Sequence, residues 1–199
     1  PIVAVAELTV GLILNLLRKV CWMDRNLRNE QWEKMMGNLL NKKKVGIKGL
    51  GRIGKKVAEL LRPFGCEIAY ADPYVSDGLL GMKRLSFDDL LGWADIITIH
   101  VSVKDRLVGE KEFQLMKKGA WLVNTSRGGV VDEKVLYEHL KNGYLAGAAL
   151  DVFEEEPYAG PIKELDNVIV TPHIGSYAKE ARVEMEIQTV ENLFKGLRH

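Results

Sequence analysis

The chain has 199 residues, 28 Lys and Arg against 27 Asp and Glu for a net charge of +1, 47% hydrophobic residues and two cysteines. These figures exclude a disordered chain and a small disulfide-stapled scaffold, and the length suits one well-cored domain that needs no metal for stability. The first hundred residues carry 15 basic and 11 acidic side chains and the remainder 13 and 16, so neither half offers a strong field to a polyanion, and Lys42, Lys43 and Lys44 read as a solvated turn. No nucleic-acid partner is expected.

The chain opens with an apolar stretch, residues 2–17, interrupted by Glu7 and Asn15 and shorter than the roughly 20 residues a membrane span needs; no basic region precedes it. Neither an anchor nor a signal is expected. Val5, Leu8, Leu12, Ile13, Leu16, Leu17 and Val20 recur at helical spacing, and Ile2, Ala6, Val10 and Leu14 make the opposite side apolar, the pattern of a helix covered nearly all round. The first residue is Pro rather than Met, which predicts a fragment or processed product. Cys21 and Cys66 lie far apart without C-x-x-C spacing, which fits packing thiols in a reducing, cytoplasmic setting.

A polar stretch with Trp22 and Trp32 follows, and then short β-branched runs alternate with amphipathic segments. Strands are predicted over 45–49, 67–71, 96–100, 121–124, 146–150 and 168–171, and helices over 53–61, 87–91, 110–116, 133–141 and 178–197. Continuous apolar strands separated by helices predict an α/β fold with a doubly wound parallel sheet, a core over 44–175 flanked by a helix and polar arm over 1–40 and a last helix over 176–199.

Gly49-Leu50-Gly51-Arg52-Ile53-Gly54 closes the first strand and opens a helix. In that context the three glycines allow the tight turn, the approach of backbone to a diphosphate and the packing of helix on strand, while the helix N-terminus offers free N–H groups. Asp72 ends the next strand 21 residues beyond the middle glycine, where a carboxylate can accept bonds from adenosine ribose hydroxyls and repel a 2′-phosphate, favouring NAD over NADP. The bland alternative is a loop and a turn starter before Pro73. Lys48 is a misfit in the first strand, since burying an ammonium is costly; it either snorkels to the sheet edge or sits near the phosphates.

Ligands of open α/β sheets bind outside the carboxyl ends of the strands. Three ends lead into ionisable groups that could converge: Arg127 after 121–124, Glu156 after 146–150 and His173 after 168–171. Arg can grip a carboxylate with its planar fork, His can exchange a proton with a ketone or alcohol oxygen, and a carboxylate beside that His favours the charged ring and fixes its orientation. Taken singly, each residue also reads as a surface ion pair, a solvated glutamate or a loop histidine. Asp151 reads as a partner for the nicotinamide carboxamide or as a turn cap, and His100 as an adenine-pocket wall or a packing residue; His139, on a polar helix, and the terminal His199 compete less well.

Several long strings carry a family resemblance. Val45-Gly46-Ile47 before the glycine loop, the run from Val123 through Thr125-Ser126-Arg127-Gly128-Gly129 to Asp132, Ala148 to Phe153 with Glu156-Pro157, and Thr171-Pro172-His173-Ile174-Gly175 together resemble the D-isomer-specific 2-hydroxyacid dehydrogenases. The resemblance implies a Rossmann-type NAD-binding domain and hydride transfer between a D-2-hydroxy acid and its 2-oxo acid, of the 3-phosphoglycerate, glyoxylate/hydroxypyruvate or D-lactate type. It further implies that Arg127 binds the substrate carboxylate and that His173 is the acid/base paired with Glu156. Cofactor contacts are expected from Gly49, Gly51, Arg52, Ile53, Gly54, Asp72, His100, Thr125, Asp151 and Gly175. The apolar first helix matches the one that helps build the family's homodimer. The family carries a first domain of roughly a hundred residues, a common domain size, which walls the substrate cleft; this chain is expected to lack it, and so by itself to bind cofactor yet turn over substrate poorly. The family also contains transcriptional corepressors, so an NAD(H)-sensing corepressor or a dimerisation module is the alternative. The segment after His100 departs from the family's His-Val-Pro-Leu pattern and is a few residues shorter.

Overall fold

Short runs of β-branched and small apolar residues pair side by side because each can be buried on both faces. A computed structural model describes residues 2–76, 78–103 and 105–196. Its strands are β1 (Lys44–Lys48), β2 (Glu67–Ala71), β3 (Lys83–Arg84), β4 (Ile96–Ile99), β5 (Trp121–Asn124), β6 (Gly147–Leu150) and β7 (Val168–Val170). All pair in parallel, in the order β3-β2-β1-β4-β5-β6-β7. The chain starts at the centre, runs out to β3, then returns past β1 to β4; that reversal opens a crevice at the carboxyl ends of β1 and β4.

Helices α1 (Ile2–Arg18), α2 (Val20–Arg28), α3 (Arg52–Leu61), α4 (Phe87–Trp93), α5 (Glu110–Leu115), α6 (Glu133–Lys141) and α7 (Lys179–Gly196) complete the chain. The two-residue period of the strands sorts them into layers. Ile47, Tyr70, Ile96, Val123 and Ala149 join Ile13 and Leu17 of α1 and Val57 and Leu61 of α3 in one core. Ala69, Ile97, Ile99, Leu122 and Ala148 join Leu90 of α4, Phe113 of α5 and Leu136 and Leu140 of α6 in the other. Local chemistry starts the helices: Ser86 Oγ accepts the Asp89 N–H, and Asp132 accepts the N–H groups of Lys134 and Val135.

At four places the structure adds to what the sequence shows. Much of the apolar surface of the first helix is covered within the chain itself: Val5, Ala6, Thr9, Val10, Leu12, Ile13, Leu16 and Leu17 are buried against α3 and β5 to β7, and Val3 is exposed. The polar stretch after it contains α2, which tucks Trp22 inward. The charged pair Lys83-Arg84 forms an edge strand whose backbone pairs with Ala69 and Tyr70 although its side chains carry no β pattern. Lys48 is half-buried, its Nζ 4.5 Å from the Phe87 ring centroid, and burial pushes its pKa down against the pull of Asp72. No helix among the described residues is long and apolar enough to cross a membrane.

Candidate active site

The glycine loop divides its labour in a way that side-chain volume decides. Gly49 has φ of +90° and a Cβ there would lie 2.4 Å from the carbonyl oxygen of His100, while a Cβ on Gly54 would lie 2.1 Å from that of Gly49. Both glycines are demanded by the fold itself. A Cβ on Gly51 would meet nothing within 4 Å. Gly51 thus faces open cleft where α3 begins without any side-chain cap, leaving its first N–H groups for an anion. Asp72 braces this turn, accepting the Leu50 N–H at 2.7 Å and the Tyr74 N–H at 2.8 Å.

A cleft of about 1020 Å³ runs from Gly51, Arg52 and Ile53 to Thr125, Arg127 and His173. His100 lies between the two ends and also lines it. Its Nε2 bonds Thr98 Oγ1 at 2.8 Å, and its Nδ1 is buried with no partner among the described residues, a polar atom for which the cleft would have to supply one. Burial depresses the His100 pKa from 6.5 to about 3, so the folded ring is neutral at every physiological pH. The unfolded chain takes up a proton below 6.5 that the folded chain refuses down to about 3, so His100 removes stability as pH falls through that window. The slope is at most about 1.4 kcal/mol per pH unit. We expect urea midpoints to fall from pH 7 to pH 5 and His100→Asn to flatten that fall; an unchanged slope in the variant would contradict the burial of a neutral ring.

Beyond β5 the chain makes a tight loop around its own polar groups. Asn124 Oδ1 accepts both the N–H and the hydroxyl of Ser126, and Asn124 Nδ2 donates to the carbonyl of Arg127. Arg127 is exposed, with Nη1 donating to the Ser126 carbonyl at 2.6 Å. Thr125 meets Thr9 of α1 at 2.8 Å; because the Thr9 hydroxyl donates to the Val5 carbonyl, Thr125 is the donor between them. A Cβ on Gly128 would lie 1.7 Å from the Phe153 carbonyl oxygen, so the loop carrying Arg127 is pressed directly on the loop that leads to Glu156.

Asp151, 1% exposed, organises the turn after β7. Its Oδ1 accepts the Thr171 hydroxyl at 2.6 Å and the Ile174 N–H at 2.8 Å, and its Oδ2 accepts the Gly175 N–H at 2.8 Å. His173 is thereby held from both sides in a left-handed conformation, φ 53°. Its Nδ1 lies 2.8 Å from Glu156 Oε2, and Glu156 Oε1 accepts the Phe153 N–H at 3.1 Å. Burial pushes the Glu156 carboxyl up, but the bonds from His173 and the Phe153 N–H outweigh it and hold it below the ordinary value. With Nδ1 turned to a carboxylate, Nε2 is the nitrogen available for proton exchange.

Of the residues singled out in the sequence, Arg127 and His173 line one cleft and Glu156 is joined to it through His173. Gly51, Arg52, Ile53, His100 and Thr125 line the same cleft, as do Asp151 and Gly175, whereas Gly49, Gly54 and Asp72 shape the turn beneath it. His139 stands apart, stacked at 4.9 Å on Phe113, and His199 lies outside the described residues. Sequence reading missed Thr9 and Asn124. Thr9 was legible as the one hydroxyl on the buried side of α1, and Asn124 as an amide closing an apolar strand.

A match to the family described as D-isomer specific 2-hydroxyacid dehydrogenase, NAD binding domain, spans residues 10–175. The D-3-phosphoglycerate dehydrogenase of Archaeoglobus fulgidus is 39% identical over 208 aligned positions, covering 98% of this chain and 40% of that protein. The glyoxylate reductase of Thermofilum pendens is 41% identical over 210 positions, covering 98% and 62%. Among solved structures, the NAD-dependent formate dehydrogenase of Staphylococcus aureus in complex with NAD superposes with a TM-score of 0.92 at 33% identity, covering 100% of this chain and 62% of that one. The chain spans less than two thirds of the length of these relatives. The glycine cradle, the open space at Gly51 and the orphaned His100 nitrogen fit the dinucleotide of that family, and the chain belongs to the D-isomer specific 2-hydroxyacid dehydrogenases as their NAD-binding domain.

Proposed function

We propose that the complete protein interconverts a D-2-hydroxy acid and its 2-oxo acid, and that this chain supplies the cofactor site and the Arg127, His173 and Glu156 trio. The observation that carries the reading is the 2.8 Å His173–Glu156 bond at the rim of the cleft that also holds Gly51 and Arg127. NAD, when bound, supplies a hydride acceptor, and NADH a hydride donor, at the nicotinamide ring. Arg127 keeps Nη1 on the Ser126 carbonyl and has Nη2 and Nε left to grip the substrate carboxylate. His173 Nε2 takes the proton from the hydroxyl in oxidation and returns it to the carbonyl oxygen in reduction, while Glu156 orients the ring and balances its charge. Asp72 favours NAD(H), since its carboxylate repels a 2′-phosphate.

Residues of a further domain would complete the substrate pocket, so this chain alone binds NADH with negligible turnover. Val3 is exposed and Leu8 half-buried on α1, and they offer a seam for a homodimer. The unpaired thiols Cys21 and Cys66 suit the cytoplasm. The relatives are named as dehydrogenases and reductases, which gives the sensing alternative no support. The test is NADH oxidation by the complete protein with glyoxylate, hydroxypyruvate, 3-phosphohydroxypyruvate and pyruvate. Saturable turnover with at least one is expected; turnover with none would overturn the proposal.

A further inference from the structure

Described residues of the connection between β4 and α5 touch two functional places. Val101 and Ser102 line the cleft. Four residues on, Arg106 spans two carboxylates, with Nη1 donating to Asp132 Oδ2 at 2.6 Å and Nη2 to Glu154 Oε1 at 3.2 Å. One end of that span is fixed: Asp132 caps α6 with its other oxygen, and its N–H donates to the Val108 carbonyl. The other end lies on the dyad loop. Glu154 donates its N–H to Glu133 Oε1 at 2.6 Å, the neighbouring Phe153 donates its N–H to Glu156 Oε1, and Glu156 Oε2 meets His173. Bonded groups therefore run without a break from Arg106 to the ring that would move the proton.

Charge explains why a guanidinium is needed there. Asp132, Glu133, Glu154 and Glu155 crowd one edge of the loop; burial pushes the Glu133 carboxyl up, and the charges of Glu154, Glu155 and Asp132 add to it against the bond from the Glu154 N–H. Without a cation between them, Asp132 and Glu154 repel, and because Asp132 is fixed as the cap of α6, the strain falls on the loop that carries Glu154 and leads to Glu156. Arg106 is 54% exposed, and ion pairs so exposed add little to global stability, so its worth is geometric. A planar fork with two donors fixes two carboxylates at a set separation, which a compact ammonium on a flexible stem does less rigidly.

We propose that Arg106 is a positioning residue that sets the distance between α6 and the 151–157 loop and so holds Glu156 in register with His173. The proposal rests on the dehydrogenase reading of that pair, and its first test does not depend on turnover. In the 199-residue chain labelled with ¹⁵N-histidine, the His173 signals should report a ring protonated at Nδ1 and bonded to Glu156. Arg106→Gln should move those signals toward the other tautomer, and Arg106→Lys should restore them in part. Thermal midpoint and NADH dissociation constant should stay at their parental values. Unchanged His173 signals in Arg106→Gln, or loss of the folded spectrum as a whole, would overturn the proposal. In the complete protein, Arg106→Gln should lower kcat about tenfold with KM for NADH unchanged, and should have no further effect in a Glu156→Gln background. Equal losses in the two backgrounds would also overturn it. If the parental protein turns over no 2-oxo acid, the dehydrogenase reading fails, while the ¹⁵N signals still decide the role of Arg106.

Discussion

His173→Ala in the complete protein should lower kcat by about 10²–10⁴-fold, the range for losing a positioned proton donor and acceptor, while NADH binds as before. The separation of effects follows from the geometry. The His173 ring contacts Glu156, and its backbone, not its side chain, is what Asp151 holds through the neighbouring Thr171, Ile174 and Gly175. Removing the ring therefore leaves the turn and the cofactor end of the cleft intact. Glu156→Gln keeps an oxygen able to accept from Nδ1 but removes the charge, so its loss should be the smaller one. The double variant should be no worse than His173→Ala, because the two side chains act as one unit. Stopped-flow and steady-state NADH fluorescence check all three. Retention of more than about a tenth of parental kcat by His173→Ala would contradict a proton-transfer role.

The second large effect separates two glycines three residues apart. Gly51→Val introduces a side chain into space where a Cβ meets nothing, on a backbone of φ −71° that any residue adopts. The fold should tolerate it, with a thermal midpoint close to the parental one, yet NADH should bind about 10–100-fold more weakly, a loss of about 1.4–2.8 kcal/mol, because the side chain fills the approach to the α3 N-terminus. Gly54→Ala places its Cβ 2.1 Å from the Gly49 carbonyl oxygen, where α3 and the turn have no room to part. Overpacking of this kind costs about 1–3 kcal/mol or more, so this variant should lose stability and NADH binding together. Calorimetric unfolding and NADH titration of the two proteins separate the cases. Equal destabilisation by both substitutions would show that Gly51 serves the fold rather than the ligand.

The central sheet was legible because its strands are apolar on both sides and end abruptly in polar residues; Ile97, Leu122 and Ala148 in one core and Ile96, Val123 and Ala149 in the other follow the pleat without exception. What escaped was structure set by context. Lys83 and Arg84 pair as β3 through backbone alone, and α2 has a polar surface broken mainly by the inward Trp22. The apolar pattern of the first helix shows that it is covered nearly all round, but not that its own sheet and α3 supply much of that cover, because a sequence gives how much of a helix is apolar and not what lies against it. At the site, strand-end placement singles out Arg127, Glu156 and His173, and the structure joins Glu156 to His173 and puts Arg127 and His173 on one cleft. The scaffolding around them was not visible, since Asp151 serving three donors, Gly128 pressed on Phe153 and Arg106 bridging Asp132 to Glu154 all link residues distant in sequence.

The most direct test of the account follows backbone amides of the ¹⁵N-labelled chain during titration with NADH and, separately, with ADP. NADH should shift the amides of Gly51, Arg52 and Ile53 at one end of the cleft and those of Thr125, Ser126 and Gly175 at the other. ADP, which lacks the nicotinamide half, should shift the first group and leave the second in place. NADH shifts confined to the glycine-loop end, or shifts centred away from this cleft, would contradict a dinucleotide laid across the sheet with its reactive ring beside His173.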